Sequence, residues 1–379
     1  MNIVLTSIDD SYVVKSGGKH VHQNLLERGL VENGDQVKTH YYKQPKDYYG
    51  RILGKFRKVL SFKRKINKMI KFLNAFNYGE YDIINAHDVV SAVAAEGNIV
   101  LTLHGYFANE TINYGNFTNA HKAEIYNFSK SIEKKAIEKS DAIITVDSNI
   151  KDYVINEFKC AEEKIFTIYN AIDTKEFIPI CQEDINIIRK KFDITENSFV
   201  ILIPRRYVKK NGVKYAAKAL KLMKEKDIFM IFIGRGPEKE NLKKELQGDK
   251  RAVVMNAVSH EKIVDYYKLS DVVLIPSIIS DDVEEATSLS MLEGMACGKP
   301  VICSNIGGMK EVITSGENGL LVDQRSPIQI VEAIIKLKKN KLYRDKIGNN
   351  ARKYVVKNHH YIQHASKFKE VYTNVVKKG

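Results

Sequence analysis

The chain has 379 residues, 60 Lys and Arg against 46 Asp and Glu, a formal net charge of +14, and 44% hydrophobic residues. That is enough apolar material for two ordinary cores, and the absence of any run of 18 apolar residues excludes a membrane-spanning helix. No nucleic-acid-binding signature accompanies the charge, so nucleic acid is not expected as a partner; an anionic membrane surface, an anionic substrate or a generally basic composition remain as its meaning.

Met1-Asn-Ile-Val-Leu-Thr-Ser7 reads as a short strand without a basic leader, not as a signal peptide. Cys160, Cys181, Cys297 and Cys303 have no metal-type spacing and read as reduced thiols of a cytoplasmic protein. From the first strand onward, short β-rich runs alternate with helical runs, the pattern of parallel α/β domains. Strand Asn2–Ile8 leads into a loop with Gly17 and Gly18. A helix follows from about His20 to Val31, and then strand Gln36–Tyr42.

Residues 48–79 contain no Asp or Glu, and Arg51–Lys71 carries nine Lys and Arg. Ile52, Phe56, Val59, Ile66, Ile70 and Leu73 fall at helical spacing. Two readings stand: an amphipathic segment docking on an anionic membrane, or a helix packed on the first sheet with solvated charges.

Strand Asp82–His87 ends in Asn-Ala-His-Asp88, and strand Asn98–Leu103 ends in Thr-Leu-His-Gly105. Parallel sheets bind ligands beyond the carboxyl ends of their strands, so His87 and His104 point toward a site edge. A lone strand-end histidine is as readily structural, and His104 is the stronger candidate because Gly105 permits close approach. Helix Thr118–Lys139, strand Ala142–Val146, helix Ser148–Phe158 and strand Ile165–Tyr169 complete this half.

The domain boundaries expected are 1–172, a linker 173–197, a second domain 198–358 and a final helix 359–379. The second half restarts with strand Phe199–Pro204, a basic loop from Arg205 to Lys210, and a helix from Val213. Strands Ile228–Ile233, Ala252–Met255, Val272–Pro276, Val301–Ser304 and Gly319–Val322 follow, with helix His260–Leu269 between two of them. Gly234-Arg-Gly-Pro237 is not a dinucleotide fingerprint, since residue 239 is Lys. Three helices near Pro327–Lys338, Leu342–Lys357 and Tyr361–Val376 close the chain.

Between the fourth and fifth of these strands lies Glu285-Ala-Thr-Ser-Leu-Ser-Met-Leu-Glu293. Ser290 and Glu293 have the spacing of a capping box. The bland reading makes Glu293 a helix cap; the sharper one makes this a helix N-terminus that holds an anion between two carboxylates. Cations and a helix dipole suit a diphosphate, and carboxylates suit sugar hydroxyls. Together they point to transfer from a nucleotide-activated donor.

At this point the chain resembles the retaining glycosyltransferases of family 4. The landmarks are Gly17-Gly18, Asn85–Asp88, Thr102–Gly105, Ser140–Val146, Ile168–Asp173, Gly234–Pro237, Ser270–Ser277 and Glu285-x7-Glu293. The resemblance implies the GT-B architecture: an α/β chain with two Rossmann-like parallel-sheet domains facing across a cleft, and a C-terminal helix crossing back to the N-terminal domain. It implies that Glu293 binds the ribose and that Glu285 lies against the donor sugar. Thr287, Ser288, Leu289 and Ser290 would meet the sugar and diphosphate. Ala257 and Val258 would meet the base, and Gly17, Gly18 and Gly234 would line the donor. His104 would sit at the reacting sugar. Aligned on Gly212, Arg206 takes the family arginine position, Arg205 replaces a glycine and would join the donor-binding residues, and Asn211 stands where the family has a lysine, which Lys210 precedes by one residue.

The activity so implied is a retaining hexosyl or N-acetylhexosaminyl transfer from a nucleotide-sugar, UDP-linked by family frequency, to a glycan or lipid-linked acceptor of the cell envelope. Arg206, Lys210, His104 and Glu285 would carry it. No D-x-D sequence occurs, so no metal and no other cofactor are expected. The expected location is cytoplasmic, with Arg51–Lys71 reaching the inner face of the membrane. An epimerase or a phosphorylase of the same fold, and a non-catalytic nucleotide-sugar-binding subunit, are the alternatives.

Overall fold

The computed structural model describes residues 1–10, 18–42, 58–115, 117–280 and 284–377. The chain forms two units, Met1–Asn170 with Tyr361–Gly379, and Ala171–His360.

In the first unit six strands form one sheet: β1 (Asn2–Ser7), β2 (Gln36–Tyr41), β3 (Ile83–Ala86), β4 (Ile99–Leu103), β5 (Ala142–Thr145) and β6 (Ile165–Thr167). Their order is β2-β1-β3-β4-β5-β6 and every pairing is parallel. The order reverses between β1 and β3, so their carboxyl ends flank the place where such sheets bind ligands. One face of the sheet buries Ile3, Leu5, Ile83, Val100 and Ile144 against Leu26 and Leu30 of helix Gly18–Glu32 and Phe368, Val371 and Tyr372 of helix Tyr361–Val376. The last helix is thus part of the first core. Gly29 lets the two helices close, because a Cβ there would lie 2.7 Å from both Ala365 Cβ and the Tyr361 carbonyl.

The second unit holds β7 (Phe199–Pro204), β8 (Ile228–Ile233), β9 (Ala252–Met255), β10 (Val272–Ile275), β11 (Val301–Ser304) and β12 (Leu320–Val322). Their order is β12-β11-β10-β7-β8-β9, again parallel throughout. This is the Rossmann order, with its switch point between β7 and β10. The runs are apolar at consecutive positions because both sheet faces are covered. Val200 and Leu202 pack on one side with Met291 and Met295, while Ile201 and Ile203 pack on the other with Val213, Ala216 and Leu220.

Two sequence expectations change. The stretch 173–197 is not a linker: it belongs to the second unit and contains helix Gln182–Lys191. Its Arg189 is buried and donates to the carbonyls of Leu269, Glu196 and Ser198 and, at 2.7 Å, to Asp271. A guanidinium with all three nitrogens bonded fixes this segment beside the amino ends of β7 and β10.

The basic stretch is described from Lys58, as helix Lys58–Asn74; residues 51–57 lie outside the described residues. Ile66, Met69 and Leu73 are buried, so the helix's apolar stripe is used in packing. Arg64, Lys65, Lys68 and Lys71 face solvent. No helix among the described residues is long and apolar enough to cross a membrane. All four cysteines are free thiols.

Candidate active site

In the second unit, the residues singled out from the sequence gather at the carboxyl edge of the sheet. Arg205, Arg206 and Lys210 follow β7; Gly234 follows β8; Ala257 and Val258 follow β9; Glu285 to Ser288 lie between β10 and helix Leu289–Ala296. Arg205 is at the centre. Its guanidinium lies 2.9 Å from Glu285 Oε1 and donates to Asn211 Oδ1 and Ser277 Oγ, both at 2.8 Å, and to Ser288 Oγ at 3.1 Å. Arg205 Nε is buried with no hydrogen-bond partner. Burial opposes ionisation of Glu285, but Arg205, Lys210 and Arg206 outweigh it and hold the carboxyl below its usual range.

Two glycines allow these loops to meet. Gly212 has φ +62°, and a Cβ there would sit 1.8 Å from the Pro276 carbonyl oxygen. Gly307, after β11, has φ +52°, and a Cβ there would sit 1.8 Å from the Glu285 carbonyl oxygen. No side chain fits either position, so the loops after β7, β10 and β11 touch backbone to backbone. Asn211, at the position where the family resemblance expects a lysine, is buried and bonds both Arg205 and the Arg206 carbonyl. It is therefore a brace for the loop. Arg206 is exposed and Lys210 half-buried.

Glu293 is not the capping partner the S-x-x-E spacing predicts. Ser288 is the N-cap residue, without a side-chain cap bond, and Ser290 Oγ donates to the Pro204 carbonyl at 3.0 Å. Glu293 instead accepts from the hydroxyl of Tyr267, a residue fully buried in the core of this unit. The physical reason is that a buried phenol needs an acceptor and the carboxylate is the one facing it. Burial lifts the Glu293 carboxyl above its usual range; Tyr267 and the charge of His260 pull it down without offsetting that rise, and Glu176 adds to it. His260 is held above its usual range by its contact with Glu176 Oε2 at 3.4 Å, against burial, with support from the charges of Glu293 and Asp173.

In the first unit, Gly17 lies outside the described residues and Gly18 opens helix Gly18–Glu32. Across the β1–β3 switch point, Asp88 accepts from the Ile8 and Ser91 N–H groups, from Ser7 Oγ and from Lys19 Nζ at 3.0 Å. Burial opposes its ionisation, yet Lys19 and the two N–H groups hold it low. His104 is half-buried after β4, and its Nε2 lies 3.2 Å from Nδ1 of the buried His87. His22, from the first helix, completes a group in which one ring nitrogen from each histidine lies within 4.8 Å of the other two. His22 was not legible as a site residue in the sequence, where it is one of two histidines in a helix with no motif around it.

The geometry defines a two-unit α/β protein with a cation-and-carboxylate site at a Rossmann switch point. The family model described as Glycosyl transferases group 1 matches residues 184–354, and that described as Glycosyltransferase Family 4 matches residues 16–176. The chain belongs to this glycosyltransferase family. An uncharacterised glycosyltransferase of Methanocaldococcus jannaschii is 27% identical over 94% of both chains. An N-acetyl-alpha-D-glucosaminyl L-malate synthase of Bacillus anthracis is 24% identical over 80% of this chain and 82% of its own. Among solved structures, a sucrose-phosphate synthase of Thermosynechococcus elongatus covers 100% of both chains with a TM-score of 0.79 at 19% identity. HepE of Anabaena, solved with UDP, covers 99% of this chain and 100% of its own, with a TM-score of 0.72 at 17% identity. The fold is GT-B.

Proposed function

We propose that the protein transfers a hexose or N-acetylhexosamine, with retention, from a UDP-sugar to a hydroxyl of a lipid-linked or surface-polysaccharide precursor. The observation that carries this is the pairing of Glu285 with Arg205 at the switch point, with Glu293 in the helix that follows. A carboxylate kept ionised beside cations suits a donor sugar next to a diphosphate. HepE, of the same fold, has also been solved with UDP-glucose.

In this reading the acceptor oxygen attacks the anomeric carbon as the carbon–oxygen bond to the diphosphate breaks on the same face. The acceptor proton passes to the departing phosphate oxygen. Arg206 and Lys210 stabilise the charge developing on the diphosphate, each by about 2–4 kcal/mol in the transition state. Arg205 orients Glu285 and Ser288 beside the donor. Ala257, Val258, Gly234, Thr287, Leu289 and Ser290 line the nucleotide and its sugar, Glu293 takes the ribose, and His104 meets the reacting sugar. Cationic side chains neutralise the diphosphate, so no metal is needed for the step.

The exposed Arg64, Lys65, Lys68 and Lys71 add an electrostatic attraction to an anionic membrane, where a lipid-linked acceptor resides. The buried apolar stripe takes no part in it.

Incubation with UDP-, GDP- and ADP-sugars, with and without lipid-linked acceptor, tests the proposal. Acceptor-dependent nucleotide release that persists in chelator supports it. No release with any donor overturns it.

A further inference from the structure

The first unit contains a cluster of histidines, two of which, His22 and His87, have no part in the proposed sugar transfer. His22, His87 and His104 come from helix Gly18–Glu32 and from the turns after β3 and β4, and one ring nitrogen from each lies within 4.8 Å of the other two. We propose that these three imidazoles bind one divalent transition-metal ion of the zinc class. The inference does not rest on the transferase reading.

Three observations carry it. First, His22 Nδ1 lies 3.0 Å from Asn170 Oδ1. An amide oxygen only accepts, so Nδ1 carries the proton and Nε2 presents its lone pair. A carbonyl behind the imidazole is the usual outer partner that fixes a metal-binding tautomer. Second, His22 Nε2 is buried and has no hydrogen-bond partner. A buried ring nitrogen left unpaired is costly, and a metal ligand bond accounts for this one. Third, the 3.2 Å between His87 Nδ1 and His104 Nε2 is close to the edge of about 3.3 Å between two nitrogens on a tetrahedral zinc ion. The spacing serves as two ligands on one ion as well as it serves as a hydrogen bond.

The environment favours neutral ligands. Burial brings His22 down to about 4 and carries His87 and His104 well below their ordinary value, so none needs to lose a proton at neutral pH to bind. Three neutral imidazoles suit zinc, copper or nickel more than magnesium or calcium, which take oxygen. His22 and His87 are buried while His104 is half-buried, which leaves a fourth position on the His104 side for water or an acceptor hydroxyl. Such an ion would join the first helix to two adjacent strand ends. The absence of a D-x-D sequence, on which no metal is expected, bears on the diphosphate alone and not on this cluster.

The test uses the full chain without an affinity histidine tag, stripped by chelator and titrated with Co²⁺. The expected result is one equivalent per chain, with the visible absorption of a tetrahedral nitrogen site, displaced by Zn²⁺. His22→Gln should weaken binding more than about 100-fold, and Asn170→Ala about 10- to 100-fold. His121→Gln, remote from the cluster in sequence, should bind as the parent does. Circular dichroism of the metal-free variants checks folding; if His22→Gln does not fold, the half-buried His104→Gln serves in its place. No saturable one-to-one binding, or binding unchanged in the cluster variants, overturns the proposal.

Discussion

The guanidinium of Arg205 meets the carboxylate of Glu285 at 2.9 Å, with side chains only 7% and 16% exposed. Removing the cation leaves a withdrawn carboxylate without its main counter-charge. Arg205→Met is expected to cost about 3–5 kcal/mol of stability. Arg205→Lys should not restore it, because one ammonium cannot replace the fork that also holds Asn211, Ser277 and Ser288. Urea unfolding of both variants, and of Arg205→Met combined with Glu285→Gln, measures this; the double variant should lose less than the sum of the singles.

Acid should expose the same pair. Glu285 titrates below its ordinary 4.5 in the folded chain. Its contribution is therefore present above that value and lost as pH falls through the lower folded one. Glu285→Gln should make the acid limb of the stability curve shallower in thermal unfolding below about pH 5.

His260 gives the opposite slope. Its folded value lies above 6.5, so its contribution is full below 6.5 and disappears as pH rises through the folded value. The gap in melting temperature between the parent and His260→Gln should shrink between about pH 6 and pH 9. A gap that widened with pH would contradict the assigned contact with Glu176.

Gly212 and Gly248 separate space from backbone strain. Both have positive φ, +62° and +80°, but a Cβ at Gly248 meets nothing within 4 Å, while one at Gly212 strikes the Pro276 carbonyl. Gly248→Ala should cost about 1 kcal/mol and Gly212→Ala at least about 2 kcal/mol more. Denaturant titration of the pair decides it.

Tyr267 supplies the hydroxyl that Glu293 accepts. Tyr267→Phe should destabilise the second unit by about 1–3 kcal/mol, because it removes a partner from a buried carboxylate. If Glu293 binds ribose as proposed, the same change should raise KM for the donor several-fold with a smaller effect on kcat. Steady-state kinetics with the active donor reads this.

Much of the architecture is legible in the chain. Strands β7, β8 and β11 fall where their apolar runs place them, because a strand covered on both faces has no polar position to blur its limits. Four short or polar helices, Val89–Ala94, Phe107–Tyr114, Gln182–Lys191 and Lys239–Glu245, do not stand out. Their periodicity is too brief, and Asp88, held by Ser7 and Ile8, and Arg189, held by Leu269, secure two of them through contacts distant in sequence. The E-x7-E stretch is visible in the sequence, but the spacing misleads about Glu293, since a capping box and an inward-facing carboxylate share one pattern.

The sequence by itself determines two parallel α/β halves and places Arg206, Lys210, Glu285 and Glu293 near the strand ends of the second. Local periodicity and chain order suffice for that. Only the tertiary structure decides which of these groups meet. Sheet order sets β7 beside β10, and so joins Arg205 to Glu285; it sets β1 beside β3 and β3 beside β4, and so brings His22, His87 and His104 together. Strand adjacency depends on the burial of whole faces, which no local spacing records.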